Sequence, residues 1–228
     1  MFNKEQFLTI ANMQDQMNTL VRGADWREQQ LDWSVALMVE GGEACDHYSW
    51  KWWTPQNRDI DQTQIEIVDM LHFALSGMLV SYDNPEEAFN AIEAGIGTID
   101  QESMERMDEW DVLAFIKETV SHGLIGNFGF SIYLLIRAGK LLGMNEVTLF
   151  NKYVGKNVLN KFRKANGYKE GTYIKIWHGE EDNVYLERIL REYTLSDITP
   201  TPEQLYESLD NIYCNVINPS TPVGNVQH

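Results

Sequence analysis

The chain reads as an all-α helical bundle, and three observations carry that reading. Residues 33–53 and 59–81 form two helix-length segments that are apolar except for one narrow polar stripe each. Most of the remaining chain repeats its apolar residues at helical spacing. No stretch sustains the apolar-polar alternation of a half-buried strand. At 228 residues with 43% apolar content, one domain spanning 1–228 is expected, and no internal repeat is visible.

Taken in order, residues 4–22 predict an amphipathic helix through Phe7, Ile10, Ala11, Met13, Met17, Leu20 and Val21, with Gln14 and Asn18 one turn apart beside that face. The first striped helix starts near Trp33, carries SWKWW at its exit and is ended by Thr54-Pro55. The second is broken at Asp83-Asn84, where Pro85 suits the first position of a new helix. From about 84 to 123 the chain is polar and acidic and contains Gly95 and Gly97. It reads as an insert of two helices, an outer layer or a partly mobile flap, with the acidic run at 100–111 as a solvated face. A stronger pattern fills 124–142 and ends at Gly143; Asn145 caps a helix over 146–165. KANGYKEGTYIKIWHG predicts a loop or short hairpin. Residues 180–193 and 201–213 look helical, and 216–228 a flexible tail.

The polar stripes hold the chemistry. Glu40 and Glu43, then Glu66 and Asp69, are spaced i, i+3, so each helix presents a carboxylate pair on one side. On an otherwise apolar helix such acids face inward, where unpaired like charges are costly. A cation between the helices relieves that cost, and carboxylates without thiolates favour Mg²⁺, or Mn²⁺ in its place. The competing reading has each acid satisfied by Arg, Lys, Trp or hydroxyl partners. Residues 151–175 hold seven basic residues against one acid, Glu170, which suits a bound polyanion or a solvated basic face.

Other classes are disfavoured. A formal charge of −16 argues against binding nucleic acid, no run of 18 apolar residues predicts a membrane span, and no signal peptide is evident. Two cysteines, Cys45 and Cys214, suggest no disulfide framework and fit a cytoplasmic protein. Dinucleotide and Walker-type glycine loops and a serine-hydrolase elbow are missing from the sequence.

The motif Glu40-x-x-Glu43, 22 residues, Glu66-x-x-Asp69, with SWKWW, IEIVDMLHF and YVGKNVLNKFRKANGYKEGTYIKIWHGEEDN, resembles the dimeric all-α dUTP pyrophosphatases, within the larger all-α nucleoside triphosphate pyrophosphohydrolase group. The resemblance covers about 12–81 and 125–190. It implies Mg²⁺-dependent hydrolysis of dUTP, and of dUDP, to dUMP by a homodimer, with pyrophosphate released from dUTP. It implies metal ligands at Glu40, Glu43, Glu66 and Asp69, with Glu43 or Glu40 as the base for water attacking the β-phosphorus. Lys156, Arg163 and Lys175 would meet phosphate, while Gln14, Asn18, Trp53 (or Trp52), Asn160 and Tyr168 would meet the nucleoside. Gly41 and Gly42, between the first two acids, depart from the family's usual larger residues and suggest close approach by another helix or the substrate. Three alternatives compete: a pyrophosphohydrolase for dCTP or dGTP, a non-catalytic helical protein, and a di-iron bundle. The last needs Glu-x-x-His on two helices, whereas only Asp69-x-x-His72 is present.

Overall fold

A computed structural model describes residues 1–196 and 198–217. The tail expected at 216–228 lies, beyond residue 217, outside the described residues. Helices make up 72% of the chain, as an all-α reading requires. Cα packing divides it into two units, Met1–Tyr153 and Val154–His228.

In the first unit, α1 (Lys4–Arg22) opens with a capping box in which Asn3 and Gln6 each accept the other's backbone N–H. A 3₁₀ turn, Trp26–Glu28, leads to α2 (Trp33–His47), capped by Asp32. Next come α3 (Ile60–Val80), α4 (Pro85–Gly97), α5 (Gln101–Asp108), α6 (Val112–Leu124) and α7 (Phe128–Leu141), then α8 (Glu146–Ala165), inside which the unit boundary falls. The centre is α3, packed against α1, α2, α4 and α7. It buries Ile65, Ile67, Val68, Met70, Leu71, Ala74, Leu75, Met78 and Leu79. Among the described helices it alone is long and apolar enough to cross a membrane, and its burial identifies it as a core helix.

Three features differ from the sequence reading. α2 ends at His47, seven residues before Thr54-Pro55, because the loop 48–59 takes over its C-terminal carbonyls. Asp59 N–H donates to the His47 carbonyl, Arg58 Nε donates to the Tyr48 carbonyl, and Ser49 turns out of the helix at φ +69°. The same Asp59 then caps α3 through its carboxylate, so one residue ties the end of α2 to the start of α3. Second, 84–123 folds as three helices, and α6 is no outer layer: Val112, Phe115, Ile116, Thr119 and Gly123 are buried as it packs on α2 and α7. Third, α2 buries only Leu37, Gly41 and Ala44, leaving Val35, Met38 and Val39 exposed on the face opposite. Gly41 has the close neighbours its identity suggested. A Cβ there would lie 2.7 Å from Val120 of α6 and 3.2 Å from Met70 of α3, whereas Gly42 faces open space.

The second unit continues α8; the segment 164–179, read as a loop or short hairpin, is turns over 166–171 and then enters a two-strand hairpin, β1 (Ile176–Trp177) paired antiparallel to β2 (Glu180–Glu181). Its two turn residues, His178 and Gly179, both have positive φ, the backbone that two-residue hairpins favour. α9 (Asp182–Leu195) and α10 (Pro202–Ile217) complete it around Phe162, Tyr173, Trp177 and Tyr213, whose rings contact one another.

Candidate active site

Packing α2 against α3 sets their polar stripes face to face. Carboxylate oxygens of Glu40, Glu43 and Glu66 come within 4.8 Å of one another. Glu66 is buried, Glu40 half-buried and Glu43 exposed, so the group opens from the core helix towards solvent. His47, one turn beyond Glu43, puts Nε2 3.8 Å from Glu66 Oε1. Asp69, half-buried one turn further along α3, lies outside the three-residue group. Three carboxylates gathered at this separation are a hard-oxygen donor set that fits a divalent cation such as Mg²⁺, with room on the exposed side for further oxygen ligands.

A second polar cluster lies within the same unit, on the face of α3 marked by His72 and Ser76. Gln14 and Asn18 are both buried, and each amide nitrogen donates to Ser76 Oγ, at 2.9 Å and 3.0 Å. Gln14 Nε2 also donates to Asn18 Oδ1 at 3.0 Å, and Ser76 Oγ donates to the His72 carbonyl. From α8, the Tyr153 hydroxyl donates to Gln14 Oε1 at 2.6 Å, and its ring stacks on His72 with centroids 4.0 Å apart. Burial pushes the Tyr153 phenol well above its ordinary pKa, so the hydroxyl stays protonated. Trp53 is exposed and makes edge contacts with Trp50 and Trp52 in the loop after α2.

In the second unit the candidate phosphate-binding residues Lys156, Arg163 and Lys175 are held by partners. Arg163 grips the fully buried Asp182 through Nε at 2.8 Å and Nη2 at 2.7 Å, and its Nη1 donates to Asn160 Oδ1. Asp182 also accepts from Tyr173 OH and from Asn183 N–H. Burial first, then the neighbouring Asp182 charge, pushes the Tyr173 phenol far above its usual range. Lys156 Nζ donates to Asn183 Oδ1 at 3.1 Å, Lys175 pairs with Glu181, and the exposed Tyr168 ring lies under the Arg163 guanidinium.

Sequence reasoning placed Gln14 and Asn18 on one helix edge but missed Tyr153, which lies 139 residues from Gln14 in sequence. It also missed Asp182 and Asn183, which stand inside the similar segment 153–183 yet carry no local signal of burial or pairing. A separate cavity of about 580 Å³ lies among the C-terminal end of α3, α4, α5 and the α6–α7 turn. No carboxylate lines it, and its wall residue Met78 is two positions from Ser76, about 200° around α3, so it is distinct from both clusters.

A family model described as dUTPase matches residues 6–168, which takes in Gln14, Asn18, the four acids, Lys156, Asn160, Arg163 and Tyr168 and leaves out Lys175 and Asp182. No curated protein sequence matches the chain.

Proposed function

The chain belongs to the all-α dUTPase family and is a dUTP diphosphatase, and on that premise we propose that Glu40, Glu43, Glu66 and Asp69 hold Mg²⁺ at the reacting phosphates. The observation that carries the proposal is the convergence of Glu40, Glu43 and Glu66 within 4.8 Å, a like-charge group that a divalent cation would stabilise. Bound there, Mg²⁺, or Mn²⁺ in its place, would neutralise charge on the phosphate oxygens.

The chain's own groups divide the remaining work. Glu43, the most exposed of the three acids, takes the proton of the attacking water, with Glu40 beside it as the alternative base. Lys156, Arg163 and Lys175 serve phosphate recognition, with Asn160 and Tyr168 serving the nucleoside. Gln14 and Asn18 form the polar edge of the uracil site, aided by Trp53 as a stacking surface. The products are dUMP and pyrophosphate, and dUDP is accepted as well.

The test is turnover of dUTP, dUDP, dCTP, dGTP and dTTP with and without Mg²⁺, following pyrophosphate or phosphate release. Mg²⁺-dependent cleavage of dUTP and dUDP is expected. Equal rates in excess chelator would refute the metal site, and turnover of dCTP in preference to dUTP would refute the base assignment.

We further propose a cytoplasmic homodimer. Val35, Met38 and Val39 are 42–49% exposed on one face of α2, an apolar surface that a second copy would cover. Analytical ultracentrifugation should give about twice the 26.4 kDa chain mass. A 26.4 kDa species at micromolar concentration would exclude the dimer.

A further inference from the structure

An amide's oxygen and nitrogen ends are told apart by their partners, and in the buried cluster on α3 the hydrogen bonds run in one consistent direction from Tyr153 to Ser76. Tyr153 OH donates to Gln14, so the Gln14 oxygen faces Tyr153 and its nitrogen faces Asn18 and Ser76. Asn18 must then turn its oxygen to Gln14 and its nitrogen to Ser76. Ser76 accepts from both amides, and its own hydrogen is closer to the His72 carbonyl, 2.9 Å away, than to its other acceptor, the Asn18 oxygen at 3.5 Å. The origin of this chain of constraints is itself immobile. The Tyr153 ring is fully buried and lies parallel to His72 within 11°, and the His72 ring is held by Nδ1 against the Val68 carbonyl at 2.8 Å.

Within this network both Gln14 N–H bonds are spent, on Asn18 and Ser76. Asn18 keeps one N–H and one oxygen lone pair beyond these bonds. That is a donor beside an acceptor, the complement of uracil O4 and N3–H. Cytosine presents the reverse, an amine donor and a bare N3, so both contacts would set like against like. An asparagine free to rotate half a turn about its last side-chain bond would read cytosine equally well. Discrimination therefore equals the cost of that rotation. Here the rotation would set the Asn18 nitrogen against the Gln14 nitrogen and make the Asn18 oxygen and the His72 carbonyl compete for the single Ser76 hydrogen.

Resting on the placement of uracil beside Gln14 and Asn18, we infer that Tyr153 is a positioning residue for base selection. Acting through Gln14, with Ser76 closing the other end, it fixes the Asn18 amide in the uracil-reading orientation. Neither Tyr153 nor Ser76 needs to touch the base for this.

The test compares kcat/KM for dUTP and dCTP in the wild type, Tyr153→Phe, Ser76→Ala and Asn18→Ala. Tyr153→Phe keeps the ring and its stack on His72 and removes only the donor. The dUTP-to-dCTP ratio should fall about tenfold, chiefly by a gain in dCTP turnover. Ser76→Ala releases the other end with little change in volume and should move the ratio in the same direction, which keeps the proposal testable if the tyrosine variant folds poorly. A purely structural role would lower both substrates together, and a ratio shifted less than about fivefold in a folded variant overturns the inference. Asn18→Ala locates a failure. If it leaves the ratio and the KM for dUTP unchanged, the base is not read there and the placement falls. If it abolishes discrimination while Tyr153→Phe does not alter it, the placement stands and the amide lock falls.

Discussion

Glu43→Ala is expected to lower dUTP turnover by about 10²–10⁴-fold while leaving the protein folded. The side chain is exposed, so its loss leaves no cavity and no buried group unsatisfied. Removing one of three carboxylates within 4.8 Å also relieves repulsion in the metal-free chain. Two measurements check this together. Thermal unfolding in chelator should show the variant at least as stable as the wild type, and added Mg²⁺ should raise the midpoint of the wild type more than that of the variant. Unchanged hydrolysis in a folded Glu43→Ala protein would remove the proposed site. A folded protein with no activity but an undiminished Mg²⁺ shift would confine Glu43 to proton transfer.

Asp182→Ala should have the largest effect on stability, about 3–5 kcal/mol lost from the second unit. The substitution strips Arg163 of its bidentate partner at a position where Asp182 is wholly buried, and it leaves the Tyr173 hydroxyl and the Asn183 N–H without the oxygens they now reach. Urea unfolding is the measurement, with an earlier transition expected for the variant. Asp182→Asn, which keeps an acceptor but no charge, should fall between the two. A midpoint within experimental error of the wild type would mean that the ion pair contributes nothing net.

How far the sequence could be read depended on whether the deciding interaction was local. The carboxylate pairs follow from i, i+3 spacing, and the cap at Asn145 from a side chain that reaches only three residues. The irregular segment at 164–179 followed from local turn composition, although loop and hairpin were not told apart there. The end of α2 was misread because the proline at 55 is a visible helix breaker, whereas the residues that stop the helix act from 58 and 59 across a loop. The burial of α6 was hidden for another reason. Its acidic neighbours dominate the composition of 84–123, while its buried face, Val112, Phe115, Ile116 and Thr119, occupies only a few positions. For the site, the sequence identified three acids that the fold gathers together, but the partners holding Gln14 and Arg163 come from Tyr153 and Asp182, at sequence distances no spacing rule spans. The reading of Gly41 shows the opposite case. A missing side chain between two acids signalled close approach by another helix or the substrate, and side-chain atoms of Val120 on α6 and Met70 on α3 occupy the space.

Glu66 stands on α3, the helix with the most extensive packing in the first unit. At the proposed metal site, the electrostatic work of assembling its anionic neighbourhood would therefore be done as the polypeptide folds, and an arriving cation would meet ligands already in place. Little rearrangement then opposes capture, so affinity at this position should follow the charge of the ligands more than their flexibility.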